Sequence, residues 1–180
     1  MPGVKVRSGQ ESDFARCLAL DASYETDYVW QVDNRVQAKQ IEVAFHTVRL
    51  PRAMAVPYPR THKQLTTAWQ SCDTMFVAED AGGALLCYIV LAKRAAQAAA
   101  WVSDVVVAKK LRRQGTGSAL LLEAVKWARA ESLSCLIAEA QTKNYPALCF
   151  FQKQGLSFCG FQDRYYPNLD IAVFLTKSVH

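Results

Sequence analysis

The chain has 180 residues, 51% of them hydrophobic, and a formal net charge of +5. That size and apolar share suit one domain, residues 1–180, around one sizeable core, and no run reaches the ~18 uncharged apolar residues that a transmembrane helix needs. The small positive excess comes without the basic block or basic helix of a nucleic-acid-binding protein, and the opening Met-Pro-Gly-Val-Lys-Val-Arg has no apolar segment behind it to serve as a secretion signal.

Residues 4–7 read as a first strand, and Phe14, Cys17, Leu18 and Leu20 are spaced for a helix over 10–20. The stretch 21–33 mixes aromatics (Tyr24, Tyr28, Trp30) with carboxylates (Glu25, Asp27, Asp33). It reads either as a solvated loop or as a surface for a cationic amine, through cation–π and ionic contacts. Residues 41–50 read as extended, Pro51, Pro57 and Pro59 are expected to break regular structure, and 61–71 forms a short helix. Strands over 74–79 and 84–92 flank Asp80-Ala81-Gly82-Gly83, a strong hairpin signal. Another strand covers 101–107.

A long helix follows over 115–131, with Leu121, Val125 and Ala128 on one face and Glu123, Lys126 and Arg129 on the other. Then come a strand over 133–140 and a helix over 144–154, with Asn144 suited to cap it and Pro146 to its first turn. Strands over 156–161 and 170–175 close the chain. This order predicts an α/β (α+β) fold, a mixed sheet with helices packed on it.

Six cysteines (17, 72, 87, 135, 149 and 159) form no Cys-x-x-Cys pair, and most have apolar neighbours. They read as buried, reduced thiols, natural to the cytoplasm. His46, His62 and His180 form no spaced cluster, so no metal site is expected.

The most informative run is Val105-Val106-Val107-Ala108-Lys109-Lys110-Leu111-Arg112-Arg113-Gln114-Gly115-Thr116-Gly117-Ser118. A buried strand feeds a basic turn, and glycines open a helix whose first amides lack partners and carry partial positive charge. Glycine lets a ligand approach that backbone, and two arginines add cationic donors, so the segment suits a diphosphate. A Walker loop is excluded because no lysine precedes Ser118. A dinucleotide fingerprint is excluded because Leu120 stands where a small residue is required.

Arg112-x-x-Gly115-x-Gly117 behind a valine strand resembles the acyl-CoA pyrophosphate loop of the GNAT superfamily. A second block, Asn144-Tyr-Pro-Ala147-Leu-Cys-Phe150-Phe151-Gln-Lys-Gln-Gly155-Leu-Ser-Phe158, is similar to that family's Asn-x-x-Ala-x-x-Phe-Tyr-x-x-x-Gly-Phe pattern. The resemblance spans about 76–175, most like streptothricin acetyltransferase-type members. It implies a mostly antiparallel sheet of about seven strands, with two parallel strands splayed at the acyl-CoA cleft. It also implies an acyl-CoA half over 76–177, with 1–75 shaping the acceptor pocket, and dimers are common in the family.

By the same resemblance, acetyl-CoA is the co-substrate. The backbone of Val105, Val106 and Val107 would pair with its pantetheine arm, and the amide of Val105 or Val106 would stabilise the oxyanion. Arg112, Arg113, Gln114, Gly115, Thr116, Gly117 and Ser118 would hold the diphosphate, Asn144 would bond the arm, and Phe151 would pack against it. The acceptor would be the primary amine of a small cationic molecule or of a peptide.

An amine with a pKa near ~10.4 arrives mostly protonated, so a proton acceptor is useful. Asp104 and Glu139, each interrupting an apolar strand, are the candidates. Phe151 departs from the family's frequent tyrosine and has no proton for the leaving thiolate. Water, or Tyr145, Tyr165 or Tyr166, would then supply it, with Tyr166 preferred. The departure also leaves open a non-catalytic acyl-CoA-binding module.

Overall fold

The computed structural model describes residues 4–180. Seven strands form one sheet in the order β1-β4-β5-β6-β7-β9-β8. They are β1 (Lys5–Ser8), β4 (Thr74–Glu79), β5 (Leu85–Arg94), β6 (Ala99–Val107), β7 (Cys135–Gln141), β8 (Ser157–Gln162) and β9 (Ala172–Ser178). All neighbours pair antiparallel except β6 and β7. That pair is parallel because the helix α3 (Thr116–Ala130) carries the chain back between them. The mixed, mostly antiparallel sheet matches the sequence expectation.

The central strand β5 explains the layering. Cys87, Ile89 and Leu91 face the larger core with α3 and α4 (Tyr145–Lys153), while Tyr88 and Val90 face a second core with α1 (Phe14–Leu18) and α2 (His62–Gln70). A strand covered on both faces reads as a continuous apolar run, and Leu85-Leu86-Cys87-Tyr88-Ile89-Val90-Leu91 is one. The helix expected over 10–20 is shorter: a 3-10 turn at Glu11–Asp13 leads into five α-helical residues.

The main departure is the stretch from Tyr24 to Val56. It forms a separate two-stranded ribbon of β2 (Tyr24–Gln37) and β3 (Gln40–Val56). Pro51 does not end β3. The pairs Tyr28↔Arg49 and Thr26↔Met54 enclose a bulge, so Leu50, Pro51, Arg52 and Ala53 stand opposite Asp27 alone. A proline is tolerated where a bulge removes the ladder bond it cannot make. The ribbon is fixed to the body by the Trp30 amide, which donates to the Thr142 carbonyl at 2.9 Å, and by Phe45 against Phe158 and Phe161.

A bulge in β6 shapes the site. Val90 pairs with Asp104 but Leu91 pairs with Val102, so Ser103 is an extra residue. One extra residue reverses which face the later side chains occupy. Ala100 and Val102 enter the larger core, yet beyond the bulge Val105 and Val107 do so, and Val106 enters the smaller one. Asp104 is thereby turned away from the larger core. The β6–β7 pairing ends at Val102↔Ala138, and the strands part beyond it.

Candidate functional site

The loop from β6 to α3 turns through two left-handed residues, Arg113 (φ 64°) and Gly115 (φ 88°). Gly115 is the N-cap of α3 and has no side chain with which to cap it. The amides of residues 113–118 donate to no backbone acceptor among the described residues; the first loop-to-helix bond runs from the Ala119 amide to the Gly115 carbonyl at 3.1 Å. Six unpaired amides in a row, backed by a 15-residue helix, favour an anion.

Gly117 is needed for packing: a Cβ there would stand 3.3 Å from both Val107 and the Phe150 ring. Glycine therefore lets α3 start close against the end of β6. Arg113 is exposed. Arg112 is engaged elsewhere: its Nε donates to the Val107 carbonyl at 3.0 Å, and its terminal nitrogens donate to the carbonyls of Ser23 and Asp21 at 2.7 and 3.0 Å. Its guanidinium clamps the entry to β2 onto the loop, and burial lowers its pKa. Gln114 Nε2 likewise returns to the Lys110 carbonyl.

Where β6 and β7 part, Asp104 and Glu139 approach a common arginine, Arg60. One terminal nitrogen of Arg60 donates to Asp104 Oδ2 at 2.9 Å and the other to Glu139 Oε1 at 3.0 Å. Asp104 Oδ1 accepts from the Tyr58 hydroxyl at 2.6 Å. Glu139 Oε2 accepts from Trp101 Nε1 at 3.1 Å and from the Tyr165 hydroxyl at 2.6 Å. The carboxylate side chains are 0% and 3% exposed and that of Arg60 21%, so Arg60 is the cluster's wet face. Burial raises the Asp104 pKa to about 6, against the pull of Arg60 and of the Tyr58 hydrogen bond. A carboxylate offers about four lone-pair positions; Asp104 uses two and Glu139 three.

Two cavities meet at Arg60 and Tyr166. One, of about 300 Å³, is lined by Arg60, Gln64, Tyr165, Tyr166 and Pro167. The other, of about 50 Å³, is the split itself, where Asp104, Val105, Glu139, Asn144 and Phe151 line the wall. The sequence candidates Asp104, Glu139, Val105, Asn144, Phe151 and Tyr166 therefore surround one cleft. Asn144 Oδ1 caps α4 by accepting from the Ala147 amide at 3.2 Å, which leaves its Nδ2 for a ligand. Of the three tyrosines considered, Tyr165 is committed to Glu139, Tyr145 stacks with Tyr28 outside the cleft, and Tyr166 lines both cavities. Burial, then the Glu139 charge, hold the Tyr166 phenol well above its usual pKa, so it keeps its proton at neutral pH.

The ribbon carboxylates and aromatics do not line this cleft, and Tyr24 touches it only through Gln141 of its wall. Tyr24 is buried with its hydroxyl donating to Gln141 at 3.1 Å, Asp33 pairs with His46, and Trp30 packs on Phe45. Tyr58, Arg60 and Trp101 went unnoticed in the sequence. The first two sit among prolines, with no periodicity to mark them.

Residues 39–156 match the family model described as the acetyltransferase (GNAT) family. The chain is 33% identical over 79 residues to streptothricin acetyltransferase A of Bacillus subtilis (strain 168), a match spanning 42% of this chain but only 46% of that protein. It is 30% identical over 160 residues to streptothricin acetyltransferase of Streptomyces lavendulae, covering 89% of this chain and 85% of the relative. In fold it resembles a structure from Bacillus anthracis str. Ames solved in complex with acetyl coenzyme A. That likeness has a TM-score of 0.75 at 20% identity, over 97% of this chain and 99% of the other.

Proposed function

The chain belongs to the acetyltransferase (GNAT) family, and from that premise we propose that it moves the acetyl group of acetyl-CoA onto a primary amine of a small cationic molecule. The observation that carries this reading is that β6 leads from a buried pair of carboxylates, where it parts from β7, to a row of unpaired amides in the loop that follows it. The diphosphate lies on the amides of residues 113–118, with Arg113 beside it. The pantetheine arm follows β6 into the split, where no strand occupies the β6 edge beyond Val102. Asn144 Nδ2 bonds the arm and Phe151 packs against it. The thioester then lies beside Val105.

The amine enters through the 300 Å³ cavity. Asp104 takes its proton, since a base is most effective with a pKa near the working pH and Asp104 keeps spare lone pairs. Glu139, held by three donors, stays as a fixed anion for the incoming cation. Nitrogen attacks the carbonyl carbon, a backbone amide of β6 stabilises the oxyanion, and the thiolate leaves. Tyr166 donates a hydrogen bond to the departing sulfur, and a water relays the second proton of the attacking nitrogen to that thiolate as the C–S bond breaks. Phe151 thus denies the site the hydroxyl of the family's frequent tyrosine, and Tyr166 and water take its part. Six free cysteines, with Cys17 and Cys87 buried, suit the reducing cytoplasm.

The test is release of CoA thiol from acetyl-CoA with a panel of amines. Diamines and streptothricin, the substrate named for the relatives, should support turnover. Amines of the same length carrying a carboxylate instead of a second cation should be slower by at least ~10-fold, the effect of one like-charge contact of about 1.4 kcal/mol. Equal rates for cationic and anionic amines would contradict the assigned acceptor class.

A further inference from the structure

We infer that Arg60 is a positioning residue for this reaction: by bridging Asp104 and Glu139 it keeps both carboxylates ionised side by side, so that a cationic amine meets an anionic site and not a proton-bound pair. The inference rests on the acetyl-transfer reading for its role in the reaction, and on geometry alone for the ionisation.

Two carboxylates this deeply buried cannot both stay charged without a counter-ion. Like charges sharing one site push one of the two toward the protonated form. Here the single guanidinium gives one terminal nitrogen to each carboxylate, at 2.9 and 3.0 Å. A planar fork that is always charged suits this bridging in a way that the single ammonium of lysine does not.

The other groups around the cluster supply no full positive charge at the bridge. Tyr58 lies on the same segment as Arg60, and Tyr88 on β5 lies near Asp104. Tyr165 and Tyr166 close in from the stretch between β8 and β9. Arg94, at the end of β5, acts on Tyr165. With Arg60 in place the cluster carries one net negative charge, which matches one ammonium. Without it, that charge is reached only by holding a proton on the group that should accept one. Arg60 stands just before Thr61, whose side chain caps α2 by accepting from the Gln64 amide. The cap fixes the backbone from which the bridge is thrown.

The experiment compares the parent with Arg60→Gln and Arg60→Lys by carbon-13 NMR of the aspartate and glutamate carboxyls in the protein without ligand, and by the pH profile of kcat/KM. In Arg60→Gln, one carboxyl should titrate about one to three pH units higher. The acid limb of kcat/KM should move up with it, while acetyl-CoA affinity stays unchanged. Arg60→Lys, which keeps the charge and protects the fold, should show a smaller shift in the same direction. Millimolar guanidinium should restore part of the Arg60→Gln profile. A folded Arg60→Gln protein whose carboxyl titrations match the parent would overturn the inference, as would Arg60→Lys without any shift where the glutamine variant does not fold. The NMR titration needs no turnover. Parent protein that acetylates no amine would therefore refute the functional reading and leave the ionisation to be decided separately.

Discussion

Replacing Asp104 with asparagine should slow acetyl transfer by about 10²–10⁴-fold, the usual contribution of a positioned general base, without unfolding the protein. The companion expectation concerns stability, and its sign follows from the raised pKa. Asp104 binds its proton more tightly in the folded protein, at about 6, than an exposed aspartate does, near ~3.9. Its share of stability is therefore complete below the unfolded value and is lost as pH rises through about 6. At pH 8 the ionised, buried group costs about 2–3 kcal/mol, at 1.36 kcal/mol per unit. Asparagine removes that cost, though it also gives up the bond that Arg60 makes to Asp104.

The difference in Tm, variant minus parent, should therefore rise between pH 5 and pH 8. The parent's kcat/KM should fall as pH drops through about 6, and the variant should lack that limb. Thermal melts at the two pH values, paired with steady-state rates, check both halves. A structural aspartate would show the stability change without the loss of rate.

Valine at Gly117 should cut acetyl-CoA affinity severely, and more than alanine at Gly115 does. The contrast comes from space. At Gly115 a Cβ would meet no other residue within 4 Å, so within the fold the penalty is that of the left-handed backbone, about 1–2 kcal/mol of stability, and the helix start stays in place. At Gly117 a Cβ already stands 3.3 Å from Val107 and Phe150, and the valine methyls have nowhere to go unless α3 withdraws from the end of β6. Withdrawal takes the first helical amides away from the diphosphate. Losing one hydrogen bond to a charged group costs about 1.5–3 kcal/mol, at least ~10-fold in affinity for each bond. Calorimetric titration of acetyl-CoA into both variants measures the difference. Gly117→Ala, with the smaller intrusion, should fall between them.

What could be read from the sequence was what is local. The glycine loop, the hairpin at Asp80-Ala81-Gly82-Gly83 and the cap at Asn144 depend on residues a few positions apart, and all three stand where the sequence put them. Asp104 and Glu139 drew notice because charge interrupts an apolar strand. Their common partner did not, because Arg60 lies 44 and 79 residues from them and nothing nearby signals a bridge. The ribbon was missed for a related reason. Its turn, Ala38-Lys39 between the paired Gln37 and Gln40, carries none of the Asn-Gly or Gly chemistry that marks a two-residue hairpin. Pro51, read as a breaker, is absorbed by a bulge.

Arg112 has partners that its position in the sequence does not announce. Its place beside the glycines suggested a diphosphate grip, yet its guanidinium has three carbonyl partners of its own. Those contacts tie the loop to the end of β6 and to the entry of β2. The β6 bulge at Ser103 was also invisible to simple alternation, and it decides which face Asp104 occupies.

The most direct measurement is a calorimetric comparison of acetyl-CoA with S-acetylpantetheine, which carries the same thioester and arm but neither the diphosphate nor the 3′-phosphoadenosine, with 3′-phosphoadenosine titrated alone as the control for the nucleoside. If the unpaired amides of residues 113–118 hold that diphosphate, acetyl-CoA should bind at least ~100-fold more tightly, the worth of two charge-assisted bonds. Equal affinity for the two, or no binding of acetyl-CoA by folded protein, would contradict it.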